Sequence, residues 1–586
     1  MASTTALFTG LTGLISHSSR LDTIGNNIAN VNTVGFKGSR LVFQNQFSIT
    51  SKIGSPPSAD VGGSNPFQVG LGVTRGTSQR DFRVGSLSPT GDPRDLAIDG
   101  DGMFIVRRNG EDFYSRNGAF RVDSGDRLTG PGGELLLGYT VNDNFQIQEG
   151  TLSPISLPVG RLRISEATTE VVVAGNIDAG GDVAQTGGLT QLRATITDGL
   201  RLIDPLAGGF PAAPPASAAS LLVNLADPSL PLPTTALFSA GQTIELEGAQ
   251  RGGRALPVAT LDITATTTVQ DLLTFFDTAM GIHSLTSTNP DGASPGSTID
   301  PATGVISIVS NTGEAADLTI DAANLRLLNA DGSLSRLPFV PTDSADASGE
   351  SGRTTMVAYD SLGNVVTFDV SFTLVSKNGG NGTTWRYDIE SSNNAGGNLF
   401  VQSGTLQFDT QGRIVDPAPV PVSIGRTGTG SVDPLVFNLR FTGAQGELTA
   451  LVDTPSEFSS IARNGLPAGT LERWSIGADG VVAGSFSNGA VRTLGRVVLA
   501  SFTNYEGLVD LGGGLFRPGG NSGEAAIVTP GSAGTGGILS GSLELSNVDL
   551  GQEFIDLILT STGYTASSRV IQTTDELIQQ LLLIGR

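Results

Sequence analysis

The sequence predicts a mainly β, multidomain chain whose N- and C-terminal α-helices pair as a coiled-coil-like inner domain. Three observations carry this. Apolar residues recur at alternating spacings of four and three near the N-terminus, and again after residue 546. Between the two stretches lie short apolar runs broken by Asp-Gly and Asn-Gly turns. The 79 Gly and 29 Pro, with 15% charged residues, suit turns and short strands.

The first element is a helix with a polar collar. Leu7, Leu11, Leu14, Leu21 and Ile28 share one seam, with Ser18 and Gly25 filling its gaps. Asn26, Asn27, Asn30 and Asn32 crowd the end, where a residue that competes for backbone hydrogen bonds is at home, and Gly35 completes the stop. Residues 1–36 form this helix and its collar. Residues 37–70, rich in Gly, Ser and Pro, cannot build a core and read as an extended arm that needs neighbours to order it.

Strands follow. Residues 95–106 read as strand, turn, strand, and compact antiparallel β-structure continues to residue 158. A second β region starts near Val159. Residues 205–235 are Pro/Ala-rich and read as an exposed connection. Residues 236–345 look inserted: Val269, Leu272, Leu273, Phe276 and Met280 make a helical face, with Thr267 and Gln270 as its cap, among alternating strands. β-structure resumes at 346–454, with a hairpin turn at Asp360 to Gly363, and again at 455–545.

Residues 546–586 turn helical. Ser546 and Asn547 open the stretch, with Ser546 to Asp549 as a capping box. Leu550, Phe554, Leu557, Tyr564, Ile571, Ile578 and Leu582 then recur in the same rhythm, with Ser561, Ser568 and Asp575 interposed. Such a helix spans roughly 50 Å. Pairing the terminal seams with each other, or with copies of themselves, is the simplest way to bury them, at ~1.5–3 kcal/mol per large side chain. The polar seam positions weaken a lone pair and point to order gained on assembly.

Composition excludes several functions. A net charge of -22 opposes binding to nucleic acid or to anionic membranes. With no Cys there are no disulfides, thiolate metal sites or Cys nucleophiles, a composition that fits export as an unfolded chain. No run reaches membrane-spanning length, and no basic residue precedes His17 and Arg20, so neither membrane insertion nor a cleaved secretory signal is expected. Asp99 to Gly102 starts like a calcium loop, but position 110 is Gly where a bidentate Glu is needed. A Ser/His/Asp triad has only His17 and His283 to draw on, one in the amphipathic helix and one in a Thr/Ser-rich turn. No Gly-rich run is followed by Lys and Ser/Thr as a phosphate loop requires. No enzyme activity, metal or cofactor is expected.

Residues 6–37, with Gly25-Asn-Asn-Ile-Ala-Asn30 and Gly35-Phe-Lys37, resemble the N-terminal signature of the bacterial flagellar rod and hook proteins. Residues 95–106 with Ser115-Arg-Asn-Gly118 resemble a core segment of that family, and residues 546–583 its C-terminal helix. Residues 356–368, 460–470 and 499–507 are similar to the outer and middle β-segments of its hook members. The resemblance implies a structural subunit of the flagellar hook, self-assembling into a helical tube that bends as a universal joint while it transmits motor torque to the filament. It places 1–36 and 546–586 in the inner tube and nests the β domains outward. The middle domain is 71–158 with 455–545, the outer domain 159–235 with 346–454, and the outermost the 236–345 insertion. Assembly contacts are expected at the seam residues, at Asn26, Asn27, Asn30, Gly35, Phe36 and Lys37, and at Ser546, Asn547 and Leu550. Implied partners are copies of the chain, the rod, hook-cap and hook-filament junction proteins, and the flagellar export apparatus. The implied location is the hook and basal body, outside the cell. The alternatives are a distal-rod or junction subunit, and a secreted β-rich adhesin or surface-layer protein.

Overall fold

Helices close both ends of the chain and strands fill the interval between them. The computed structural model describes residues 2–283, 288–377, 379–452 and 454–584. The chain divides into two compact units, Met1–Arg163 with Thr470–Arg586, and Ile164–Gly469.

In the first unit, helix α1 (Ala2–Ala29) and the C-terminal helix (Leu550–Ile584) lie against each other. Both are rich in Ser and Thr, which are mediocre helix formers. Their hydroxyls fold back onto the helix: Thr9, Ser19 and Thr23 donate to carbonyls four residues earlier, as do Thr562, Ser567 and Thr574. Intrinsic propensity is therefore low, and packing sustains the pair. The C-terminal helix starts later than a box on Ser546 predicts. The Asp549 carboxylate accepts from the Gly551 and Gln552 N–H groups at 2.8 and 3.2 Å, while Ser546 accepts only from Val548.

After α1, strands Ser39–Asn45 and Val73–Arg80 pair antiparallel, and between them a hairpin (Ser48–Lys52 with Phe67–Gly70) projects with every residue exposed. Beyond the arm, Val481–Phe486, Val491–Val497, Leu135–Thr140, Met103–Arg108, Glu111–Ser115 and Leu515–Arg517 are neighbours in one sheet. The Met103 to Val106 run is apolar throughout because both its faces are covered. Phe104 and Val106 join one core, Met103 and Ile105 another. Gly537–Ser540 pairs with Leu96–Asp99 and Ser542–Glu544 with Leu87–Pro89, so the end of the chain is stitched to its beginning before the last helix leaves.

The second unit holds two cores. One is a sandwich. The meander Ser351–Tyr359, Val365–Lys377, Thr383–Glu390 and Phe400–Phe408 packs on a sheet containing Glu170–Asn176, Val420–Ile424 and Leu435–Arg440 around Trp385, Phe368, Phe372 and Phe437. Asp360, fully buried, accepts from the Leu362 and Asn364 N–H groups and holds the expected hairpin turn, with Gly363 at φ 80°. The other core belongs to the insertion and surrounds helix α2 (Val269–Ala279), numbered ahead of the C-terminal helix, which becomes α3.

Two expectations change here. The cap of α2 is Thr268 with Asp271 in a reciprocal box, one residue beyond the predicted pair, because Thr267 turns back to Thr264. The Pro/Ala-rich stretch is not an exposed connection. Phe210, Ala213, Ala216, Leu222, Leu225 and Ala226 are buried, most of them in the same core as α2. Proline stops it from forming regular strands without keeping its apolar side chains out of a core.

Phe276, fully buried on α2, anchors the insertion. Phe276→Ala is expected to cost about 3–5 kcal/mol, measured as a fall in the free energy of urea unfolding.

Candidate assembly interface

The α1–α3 contact brings the two helices close together at small residues. A Cβ added at Gly10 would lie 2.9 Å from Ile571 Cγ1, one at Gly13 2.9 Å from Ser567 Oγ, and one at Gly563 2.6 Å from the His17 ring. Glycine costs about 1 kcal/mol in a helix interior, so three at the contact mark a close approach of the two backbones. His17 fills the notch over Gly563 and meets Phe43 of the arm edge-on at 5.7 Å. Two polar bridges fix the register: Arg20 with Asp556 at 2.9 Å, and the Asn27 amide with Glu553 at 2.8 Å. Burial, the Asn27 hydrogen bond and the nearby Asp556 act on Glu553 together, and burial prevails, raising its carboxyl above the usual range.

The collar residues divide into two groups. Asn26 and Asn30 act locally: the Asn30 amide donates to the Asn26 carbonyl at 2.9 Å, and Thr33 donates to the Asn30 side chain. Asn27 is buried and reaches across, exchanging two hydrogen bonds with the Ser39 backbone while it holds Glu553. Gly35, at φ 69°, donates its N–H to the Glu544 carbonyl, and a Cβ there would strike the Arg116 backbone at 2.7 Å. Phe36 is half-buried, and its carbonyl accepts from Asn547 N–H. Asn547 in turn accepts from Gly38 N–H and donates to the Asp81 and Arg83 carbonyls.

At the centre of this knot Lys37 is buried. Its Nζ donates to Glu544 Oε1 at 2.6 Å and to the Arg83 carbonyl at 2.7 Å. The same carboxylate oxygen accepts from Gly85 N–H, and Arg116, also buried, stands 3.6 Å from its other oxygen. Burial first, and then the Arg116 charge, push the Lys37 ammonium below its ordinary value, while Glu544 pulls it back. Sequence reasoning named Asn27, Gly35, Lys37 and Asn547. It missed Glu544 and Glu553, which carry no local signal, the role of Arg116, which lies in the Ser115-Arg-Asn-Gly118 motif, and the helix glycines, whose cost in a helix was the available clue.

Of the seam residues, Ile571 meets Gly10 at the contact, and the others are buried to varying degrees. Leu7, Leu14, Leu21, Ile28, Leu557, Ile571 and Ile578 are half-buried, whereas Leu11, Leu550, Phe554, Tyr564 and Leu582 are exposed. Phe8 is 63% exposed, and Ile558 and Leu559 are 65% and 62% exposed. Each helix thus turns one face to its partner and leaves an apolar face in water.

Lys37→Met leaves Glu544 buried beside Arg116 alone and is expected to cost roughly 3–5 kcal/mol of stability in denaturant unfolding, with Lys37→Met/Glu544→Leu recovering most of the loss. Because folding raises the Glu553 carboxyl above its ordinary value near 4.5, its contribution is present below that value and is lost as the pH rises through the folded one. Helix content by circular dichroism is therefore expected to resist heat better at pH 5 than at pH 7, and Glu553→Gln to remove the difference.

Four family models match the chain in order. They are "Flagella basal body rod protein" over residues 7–37, "Flagellar hook protein FlgE/F/G D1 domain" over 97–183, "Flagellar basal body protein FlaE D2 domain" over 327–466, and "Flagellar basal body rod FlgEFG protein C-terminal" over 539–583. The flagellar hook protein FlgE of Treponema pallidum is 27% identical over 593 residues, covering 99% of this chain and 99% of the relative. That of Borreliella burgdorferi is 26% identical over 582 residues, covering 98% of each. A crystal structure of Helicobacter pylori flagellar hook protein FlgE2 is 17% identical, covers 78% of this chain and 100% of its own, and superposes with a TM-score of 0.36, too low to inform the fold. With the rod signature at its N-terminus, the rod and hook helix at its C-terminus and hook proteins similar along its whole length, the chain belongs to the bacterial flagellar rod and hook protein family.

Proposed function

We propose that this chain is the repeating structural subunit of the flagellar hook and polymerises into a helical tube that bends while it carries torque to the filament. The observation that supports assembly is the pair of apolar helix faces left in water, Phe8, Leu11 and Ile15 on α1 and Phe554, Ile555, Ile558 and Leu559 on α3. Contiguous exposed apolar surface of this kind is covered in use. The cheapest cover is the same face of another copy, since repetition of one contact around an axis builds a tube. The exposed hairpin, with Phe47, Ile53 and Phe67 in water, is too small to be stable alone and adds a second surface for neighbours.

In this reading the seam and collar residues serve assembly at two levels. Lys37, Asn27, Gly35 and Asn547 set where the helices leave the β-structure, and the outer helix faces join copies. Bending follows from rigid β units shifting against one another while the inner helices stay packed. Rod, hook-cap and junction proteins are the neighbours at the two ends of such a tube. Delivery through the flagellar export apparatus brings the chain outside the cell.

Ile558→Asp places a charge on a side chain that is 65% exposed in the monomer. It is expected to leave the folded β-structure and its melting temperature within error of wild type, and to abolish filaments in a polymerisation assay followed by electron microscopy. Tubes of normal length and diameter from this variant would refute the reading.

A further inference from the structure

The two cores of the second unit meet through charge. The insertion hangs on a tether whose two strands bond to each other, Glu350 N–H to the Asp182 carbonyl at 2.8 Å and Ser348 N–H to the Thr186 carbonyl at 3.0 Å. Beyond the tether, the insertion presents Arg251, Arg254, His283 and Thr312 to the meander sheet of the sandwich. Arg251 pairs with Glu390, both nearly inaccessible to water. Glu390 also holds Arg353 at 2.7 Å, which bridges to Asp369 at 2.8 Å, and Asp369 faces Arg254 at 3.3 Å. On the other side His283 Nε2 lies 2.9 Å from Asp388, and Arg386 grips the same carboxylate at 3.0 Å while it donates to the Thr312 carbonyl at 2.8 Å. Gly281, at φ 67°, leaves the space that Arg251 passes through: a Cβ there would lie 2.7 Å from Arg251 Nη1. The apolar share of the joint is small. Leu399 enters the insertion core, and Phe400 stacks on His283 at 4.5 Å.

Buried ion pairs contribute little net stability, because desolvation offsets attraction, yet a mismatched arrangement strands charge in the interior. Such a joint selects one orientation far more strongly than it binds. We propose that Arg251 and His283 on the insertion, with Glu390 and Asp388 on the sheet, are positioning residues that lock the insertion in a single orientation, so that the two cores move as one body. Two arginines of the insertion, Arg251 and Arg254, and two of the sheet, Arg353 and Arg386, surround three carboxylates of the sheet, so loss of a carboxylate charge leaves excess cation at the joint. Although burial opposes ionisation of Asp388, the Arg386 charge and the His283 hydrogen bond hold its carboxyl at about 2. Its contribution is thus present above the ordinary carboxylate value and lost only as the pH falls through about 2.

The test uses the isolated full-length monomer, so its outcome is independent of whether the chain forms hooks. The chain has no Cys, so L334C with T405C, both on exposed residues of the two bodies, accepts exactly one spin label at each position. Pulsed electron resonance is expected to give one narrow inter-label distance at pH 7. Arg251→Met and Glu390→Gln are each expected to broaden it at least twofold and to speed proteolysis of the tether about tenfold. The double variant is expected to be no worse than either single, and Arg251→Lys to recover most of the narrow distribution. His283→Gln, which keeps a donor towards Asp388, serves as a milder variant should the others fold poorly, with a smaller broadening expected. A narrow distance unchanged in Arg251→Met and Glu390→Gln would overturn the proposal. So would loss of hydrogen-exchange protection in α2 alongside the broadening, since the insertion would then be unfolding rather than swinging.

Discussion

A lysine and a glutamate 507 residues apart, held at 2.6 Å out of contact with water, set the geometry of the first unit. Lys37 directly follows the collar after α1, and Glu544 ends the last strand before α3. Their pairing joins the two places where the chain passes between helix and β-structure. The pair is tolerable only because the surroundings complete it, with the Arg83 carbonyl and Gly85 N–H taking further hydrogen bonds and Arg116 adding a second cation. Gly35 and Asn547 close the same knot through backbone hydrogen bonds. The arrangement strands charge unless both ends of the chain are present.

From that anchor the two helices run together on glycine and serine. Close approach at Gly10, Gly13 and Gly563 seats Ile571, Ser567 and His17 against the facing backbone, while Phe8, Ile558 and Leu559 point to water. Polar bridges at Arg20–Asp556 and Asn27–Glu553 fix the register that Leu seams would otherwise set. A contact organised this way draws little stability from apolar burial between the two helices.

The second unit solves a different problem. Its two cores are each apolar and self-sufficient, and the joint between them is ionic. An apolar joint would tolerate sliding, since dispersion contacts re-form in many registers. A set of fixed cations opposite fixed anions does not.

The sequence by itself determined the terminal helices, the β character between them and the collar at their base, because periodicity, Asn-rich stops and Asp-Gly turns are local signals with local causes. It also marked Lys37 and Gly35, through the motif around them. Tertiary structure alone decided which faces of the helices meet, since a seam of Leu7, Leu14 and Leu21 and a line of Gly10, Gly13 and His17 are both consistent with a helix, and only backbone approach to Gly563 and Ser567 chooses between them. It alone drew Phe210 and Leu222 from a Pro-rich stretch into a core, because proline content reports the absence of ladder hydrogen bonds and not exposure. And it alone matched Glu544 to Lys37, Asp388 to His283 and Glu390 to Arg251. In a chain with 56 acidic residues no spacing rule identifies the few that are buried; burial is a property of the fold, and so is the charge that must answer it.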